Sequence, residues 1–207
     1  MIRIMWELLG SMVVYGIITD LLALMFARWE PVVCTMAGAL VILPGLVWFL
    51  SDRTECAGRE NRLKGRDALL CVFWGIAACL AANTLIKASG VSGLFPGYSR
   101  LAEDLYAPPV GLQICAMGAV IPLAEELIFR GLGFCRLRSH TGFAQAALLS
   151  SALFGLWHGN VLQGIYGFSM GMLLAWVMER KKNLLAPVLM HMAANLTSVA
   201  VSAALRP

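Results

Sequence analysis

The sequence predicts an all-α, polytopic transmembrane bundle of about seven spanning helices with its N-terminus in the cytoplasm. Three observations carry this. The 207-residue chain is 59% hydrophobic and only 14% charged, whereas a soluble domain carries about 25% charged residues. Its mean hydropathy is +0.76. Apolar runs near the ~20 residues that a membrane-crossing helix needs recur along the whole chain. The net charge of +4 is mild and informs only through its distribution. The partner expected from this composition is a lipid bilayer, not nucleic acid.

The spans run roughly over 5–27, 31–50, 68–88, 110–135, 142–159, 161–178 and 184–204. The first follows Arg3 and could pass for a signal peptide. It is too long for that, contains Glu7 and Asp20, and lacks an A-x-A site, so it reads as an uncleaved span. Pro31 opens the second span and Pro187 the seventh, both in first turns where proline is tolerated. Pro44 and Pro122 are interior and should kink their helices. The fifth and sixth spans are short, with only Gly159 and Asn160 between them. Gly155 with Gly159, and Gly167 with Gly171, form small-xxx-small faces suited to close helix packing.

Charge distribution tests this layout. With the N-terminus inside, the cytoplasmic segments hold Arg3, Arg53, Arg59, Arg62, Lys64, Arg66, Arg130, Arg136, Arg138, Arg180, Lys181 and Lys182. The outer segments hold Arg28, Lys87, Arg100 and Arg206. Twelve against four follows the positive-inside rule at every alternation. The chain is expected to be one integral-membrane domain, 1–207, with spans lacking recognised motifs over 1–109 and motif-bearing helices over 110–204. The absence of a targeting extension points to a prokaryotic plasma membrane.

Two loops are long. Residues 51–67 are charged and read as a solvated cytoplasmic loop. In 89–109, Phe95, Tyr98, Leu101, Leu105 and Tyr106 fall near one face of a helix. An aromatic anchor at headgroup level is the plainer reading, and a lid over a cavity is the other. The six cysteines, Cys34, Cys56, Cys71, Cys79, Cys115 and Cys135, form no CxxC pair and read as small core residues.

Polar groups inside the spans carry the chemistry. Glu125 and Glu126 sit side by side in an apolar run, and an acid at a helix centre costs about 2.5–3.5 kcal/mol to insert. Glu126 and Arg130 share a face and can pair, which leaves Glu125 for something else. His158 lies four residues after Phe154, and Asn195 four after His191, so each pair projects from one helical face. A looser set comprises Asp20, Asn83, Gln113, Gln145 and Gln163. His140 lies in a polar loop and reads as solvated. A Glu in a low-dielectric pocket can take a proton from water, a His can orient that water, and His or Asn can donate to an oxyanion. Glu125, His158 and His191 also make a zinc set with an open position, although no HExxH is present. A structural Glu126–Arg130 pair and interhelical hydrogen bonds from the His and Asn residues are the plain alternatives.

The order EExxxR (Glu125 to Arg130), FxxxH (Phe154 to His158) and HxxxN (His191 to Asn195) resembles the CAAX protease and bacteriocin-processing (CPBP, or Abi) family of intramembrane endopeptidases. The Ras-converting CAAX prenyl endopeptidase is its eukaryotic representative. The resemblance covers about residues 110–200. It implies that Glu125 activates water, His158 helps hold it, His191 and Asn195 stabilise the oxyanion, and Glu126, Arg130 and Phe154 brace the site. The family has been described both as metal-dependent and as glutamate-type. The metal-free mechanism is favoured here, with no cofactor, because Asn195 suits an oxyanion donor and is a poor zinc ligand. Zinc on Glu125, His158 and His191 is the alternative.

The substrate implied is a membrane-anchored or lipid-modified protein tail, or a secreted peptide precursor. An ion-coupled transporter and a non-catalytic scaffold or immunity factor are the competing functions. Glu125 and His158 meet only if the fourth helix continues past Arg130 to about Arg138, burying Arg130 against Glu126. A long fourth helix and a site near mid-membrane are therefore expected.

Overall fold

Hydrocarbon offers no water to satisfy backbone N–H and C=O groups, so apolar runs of membrane length fold as helices. In the computed structural model, which describes residues 2–51 and 62–205, they do so throughout. The helices among the described residues are α1 (Ile2–Met25), α2 (Pro31–Ser51), α3 (Gly65–Ser89), α4 (Pro96–Tyr106), α5 (Val110–Arg138), α6 (Phe143–Trp157), α7 (Val161–Lys181) and α8 (Leu185–Ala204). A 3-10 turn, Val91–Leu94, joins α3 to α4. The chain is an integral multi-pass membrane protein in a lipid bilayer, and among the described residues six helices are long and apolar enough to cross. Cys56, Arg53, Arg59 and Arg206 lie outside the described residues.

The expected spans differ in length. Six of the seven have crossing length; α6, with only 15 residues, extends about 22 Å against a hydrocarbon core of about 30 Å, yet it still reverses the chain direction between α5 and α7. The fourth helix is long, as expected: α5 has 29 residues, or about 43 Å at the usual rise. It is also the most buried span, at 56% of its apolar window, while α1 and α3 stand at 17% and present apolar side chains to lipid. Polar residues on α5 are therefore shielded from lipid by the other helices.

The interior prolines act differently from one another. α2 passes through Pro44 as one continuous helix. On α5, Pro122 has no N–H for the preceding turn, and the chain widens there into a π-helical turn at Ala116–Val120. A second π-helical stretch, Leu127–Cys135, follows the glutamate pair. Pro31 and Pro187 sit in first turns as expected.

Close approach is set by glycine. α6 packs on α7, and α3 on α8, more extensively than any other pair. A Cβ on Gly155 would lie 2.6 Å from Gly164 O, and one on Gly171 2.9 Å from Ser151 Cβ. A Cβ on Gly75 would collide with the Met190 carbonyl. Gly159 departs from its expected role. Its φ is +65° and nothing stands within reach of an added Cβ, so it turns the chain between α6 and α7 instead of packing a face. Asn160 then caps α7, its Oδ1 accepting from the Leu162 and Gln163 amides.

One end of the bundle is tied by charge. Arg136 on α5 pairs with Glu7 on α1, Arg138 with Glu179 at 3.2 Å, and Lys181 with Asp67 on α3 at 3.0 Å. The exposed His140 beside them bonds Ser139 and the Arg136 carbonyl. Above this end Phe134, Leu137, Ala147 and Met178 form a fully buried apolar cluster. At the other end α4 lies across the bundle as a roof. Tyr106 hydrogen-bonds Ser198 of α8, and Gln113 donates to Tyr106 O and Pro108 O. Burial pushes the Tyr98 and Tyr106 phenols up, so both remain protonated. Cys34, Cys71, Cys79 and Cys135 are buried as expected, but Cys115 is exposed on α5.

Candidate active site

Beneath the roof is a cavity of about 460 Å³ lined by residues from all eight helices. Glu125, Phe154, His158, His191 and Asn195 all line it, so three sequence motifs far apart in the chain share one space. Arg130 and Glu126 lie behind the wall, both fully buried. The length of α5 permits this. Glu125 is thirteen residues short of Arg138, about 20 Å along the helix, which brings it to the level where α6 ends in His158.

Glu126 organises the wall. Its Oε1 accepts from Arg130 Nη1 at 3.1 Å and lies 2.8 Å from His191 Nδ1. Arg130 Nη2 also donates to Gly171 O at 3.1 Å, and its guanidinium lies 4.6 Å over the Phe154 ring. That oxygen is reachable because Gly171 has no side chain and α7 approaches closely. Further hydrogen bonds offset the burial of this ion pair: α7 supplies the Gly171 carbonyl and α8 the His191 imidazole, while Glu126 Oε2 and Arg130 Nε have no hydrogen-bond partner among the described residues.

The two imidazoles are oriented by their Nδ1 partners. A carboxylate and a carbonyl can only accept, so His191 donates Nδ1–H to Glu126, and His158 donates Nδ1–H to Phe154 O at 2.7 Å. Both therefore keep Nε2 for other partners. His191 Nε2 lies 3.8 Å from Glu125 Oε2, beyond a direct hydrogen bond. Phe154 stands between the rings, edge-on to His158 at 4.9 Å and to His191 at 5.6 Å. Asn195 donates Nδ2–H to Met117 O at 2.9 Å, a carbonyl in the first π-helical turn, and retains its second N–H and its oxygen.

The looser polar set divides. Asp20, Asn83 and Gln163 line the cavity, so Asp20 faces it rather than only snorkelling outward. Gln113 is buried and fastens the turn after α4, while Gln145 is exposed. The residues 98–106 expected as an anchor prove to be lining: Tyr98, Leu101, Ala102, Leu105 and Tyr106 all face the cavity, which matches the lid reading. Sequence reasoning missed Gly171 and Met117, which act through backbone carbonyls and leave no side-chain signal. It also missed Trp157, which lines the cavity and stacks on Tyr15. Among the described residues no group of three His, Cys, Asp or Glu stands together as a metal site.

Residues 106–197, which contain all three motifs, match the profile of a family described as Type II CAAX prenyl endopeptidase Rce1-like. This segment is similar to the Rce1-like family. The matched segment begins at the end of α4 and runs into α8, so it covers the roof's attachment, the glutamate pair and both histidines. The chain is 30% identical over 135 residues to "Putative membrane peptidase YdiL" of Bacillus subtilis, covering 61% of this chain and 54% of that protein. It is 25% identical over 126 residues to "UPF0177 protein YxdF" of Lactococcus lactis, covering 60% of this chain and 70% of that protein. The match thus spans about half the length of the first relative. No solved structure matches.

Proposed function

We propose that this chain is a glutamate-type intramembrane endopeptidase. Glu125 is the general base, and a water held between its carboxylate and the Nε2 atoms of His158 and His191 is the nucleophile. Water adds to the peptide carbonyl carbon and Glu125 takes its proton. The oxyanion so formed is met by the free N–H of Asn195, beside His191, which Glu126 holds in place through Nδ1. Collapse of the intermediate breaks the C–N bond, and the proton on Glu125 passes to the leaving amine. Glu126, Arg130 and Phe154 hold the histidines in place and touch no reacting atom.

The observation that supports this most is the pairing of Glu125 with His191 Nε2 at 3.8 Å on the cavity wall, with the other face of His191 fixed by Glu126. The Rce1-like match and the relative named a membrane peptidase support the same class. The substrate proposed is a membrane-anchored or lipid-modified protein tail or a peptide precursor, and both relatives' bacterial sources favour a prokaryotic plasma membrane. Purified protein incubated with a peptide library in ¹⁸O-water, with and without a chelator, tests the reaction. The expected result is one ¹⁸O in each new carboxyl terminus with the rate unchanged by the chelator. Loss of cleavage with chelator, restored by zinc, would replace the metal-free mechanism.

A further inference from the structure

We infer that the cavity opens on the exported side of the membrane, so that its substrate is an extracytoplasmic segment of a polypeptide and not a cytoplasmic tail. The substrate class rests on the peptidase reading above; the direction of opening does not.

The mouth lies at one end of the bundle. Asp20, Asn83 and Ser198, near the C-terminal ends of α1, α3 and α8, line the cavity together with Thr35 and Gln163, near the N-terminal ends of α2 and α7. Helices alternate in direction, so these termini all fall at the same end, beneath α4. Toward the opposite end the cavity is closed. Phe134, Leu137, Ala147 and Met178, all fully buried, fill the space between the site and the charged pairs at that end. A peptide therefore reaches Glu125 past the roof, not past the paired charges.

Charge assigns the two ends to sides of a membrane. Among the described residues, nine Lys and Arg flank the closed end: Arg3, Arg62, Lys64, Arg66, Arg136, Arg138, Arg180, Lys181 and Lys182. Three flank the mouth: Arg28, Lys87 and Arg100. Arg130 belongs to neither, since it is buried in the core. The segments concerned are short or adjoin the helix ends, which is the range over which Lys and Arg hold a loop in the cytoplasm. The closed end is thus cytoplasmic and the mouth exported. The cavity chemistry agrees with a peptide from that side. Among the described residues no Lys or Arg lines it, while Asp20 at the mouth and Glu125 at the wall do, so a polypeptide meets acceptors for its N–H groups at the entrance and at the site.

Accessibility tests this without any proteolysis. In a chain whose native cysteines are replaced by serine, Asp20→Cys places a thiol at the mouth and Ser139→Cys one at the closed end. A membrane-impermeant maleimide should label the Asp20→Cys variant in intact cells as fully as after permeabilisation, and the Ser139→Cys variant only after permeabilisation. The reverse pattern, or equal labelling of both in intact cells, overturns the inference. Should the cysteine-free chain fail to fold, the native chain carrying alkaline phosphatase at its C-terminus reads the same orientation, because α8 ends at the mouth. An active phosphatase is expected, and an inactive one, with a fluorescent C-terminal GFP in its place, contradicts it. Mouth labelling from outside, with no peptide termini altered by Glu125→Gln, would remove the peptidase reading and leave the orientation standing. Altered termini with a mouth labelled only from inside would do the opposite.

Discussion

His191 Nδ1 lies 2.8 Å from Glu126 Oε1, the same oxygen that accepts from Arg130 Nη1 at 3.1 Å. One carboxylate oxygen thus fixes the tautomer of a cavity histidine and balances a fully buried arginine. Removing one partner of a buried pair leaves the other charge uncompensated, at about 3–5 kcal/mol. Arg130→Met and Glu126→Gln should each destabilise the folded protein by about that amount, and the double variant by much less than the sum. Denaturant unfolding in detergent, run as a double-mutant cycle, checks this. Strict additivity would mean that the pair does not interact.

Asn195 should separate catalysis from stability. It gives one N–H to Met117 O and keeps the other for the cavity. Asn195→Ala should lower kcat by about 10²–10³-fold with KM little changed, as for loss of an oxyanion donor. The lost bond to Met117 should cost about 1 kcal/mol of stability. An equal loss in kcat and thermal stability, recovered together by a stabilising second-site change, would make its role structural.

Glycine positions make graded predictions. Gly155→Ala drives a Cβ to 2.6 Å from Gly164 O on α7, so α6 and α7 must separate. A cost of about 1–3 kcal/mol is expected for such overpacking. Gly159→Ala meets no neighbour but must hold φ +65°, which costs roughly 1–2 kcal/mol. Gly10→Ala also meets no neighbour and lies within α1, so it should be neutral or stabilising by up to about 1 kcal/mol. Thermal midpoints of the three variants should fall in the order Gly10→Ala, Gly159→Ala, Gly155→Ala. A Gly155→Ala midpoint equal to that of Gly10→Ala would contradict the tight α6–α7 contact.

The roof should loosen when its latch is cut. Tyr106→Phe removes the hydrogen bond to Ser198, worth about 0.5–1.5 kcal/mol, without touching the polar groups around Glu125. Hydrogen exchange of α4 amides should accelerate while those of α5 stay protected. Unchanged exchange in α4 would show that Gln113 and apolar packing alone hold the roof.

Much of this architecture was legible in the sequence because it rests on short-range rules. Membrane-length apolar runs, i,i+4 spacing and first-turn prolines identified the helices and the motif faces. The need to bring Glu125 level with His158 required α5 to run past Arg130, and it does. What was not legible depends on neighbours in space. The sharing of one Glu126 oxygen between Arg130 and His191 joins α5 to α8. The carbonyls of Gly171 and Met117 carry no side-chain signature. Gly159 sits in a GxxxG spacing indistinguishable from packing until its φ places it in the turn. The aromatic face of α4 suits a headgroup anchor and a cavity roof equally well, and only the cavity beneath separates the two. Exposed Cys115 reads as core from its apolar run because lipid accepts the same side chains as a protein interior.

The most direct test of Glu125 as the base is terminal-peptide mass spectrometry on membrane and secreted proteins from cells carrying the native chain or Glu125→Gln. The carboxylate meets its neighbour His191 only at 3.8 Å, so the substitution should leave the fold and protein level intact while removing a general base, worth about 10²–10⁴-fold. The predicted result is a polypeptide whose processed terminus is present with the native chain and absent with Glu125→Gln at equal expression. Identical termini in both, with both proteins folded and at equal level, would contradict the assignment of Glu125 and of peptide-bond hydrolysis to this cavity.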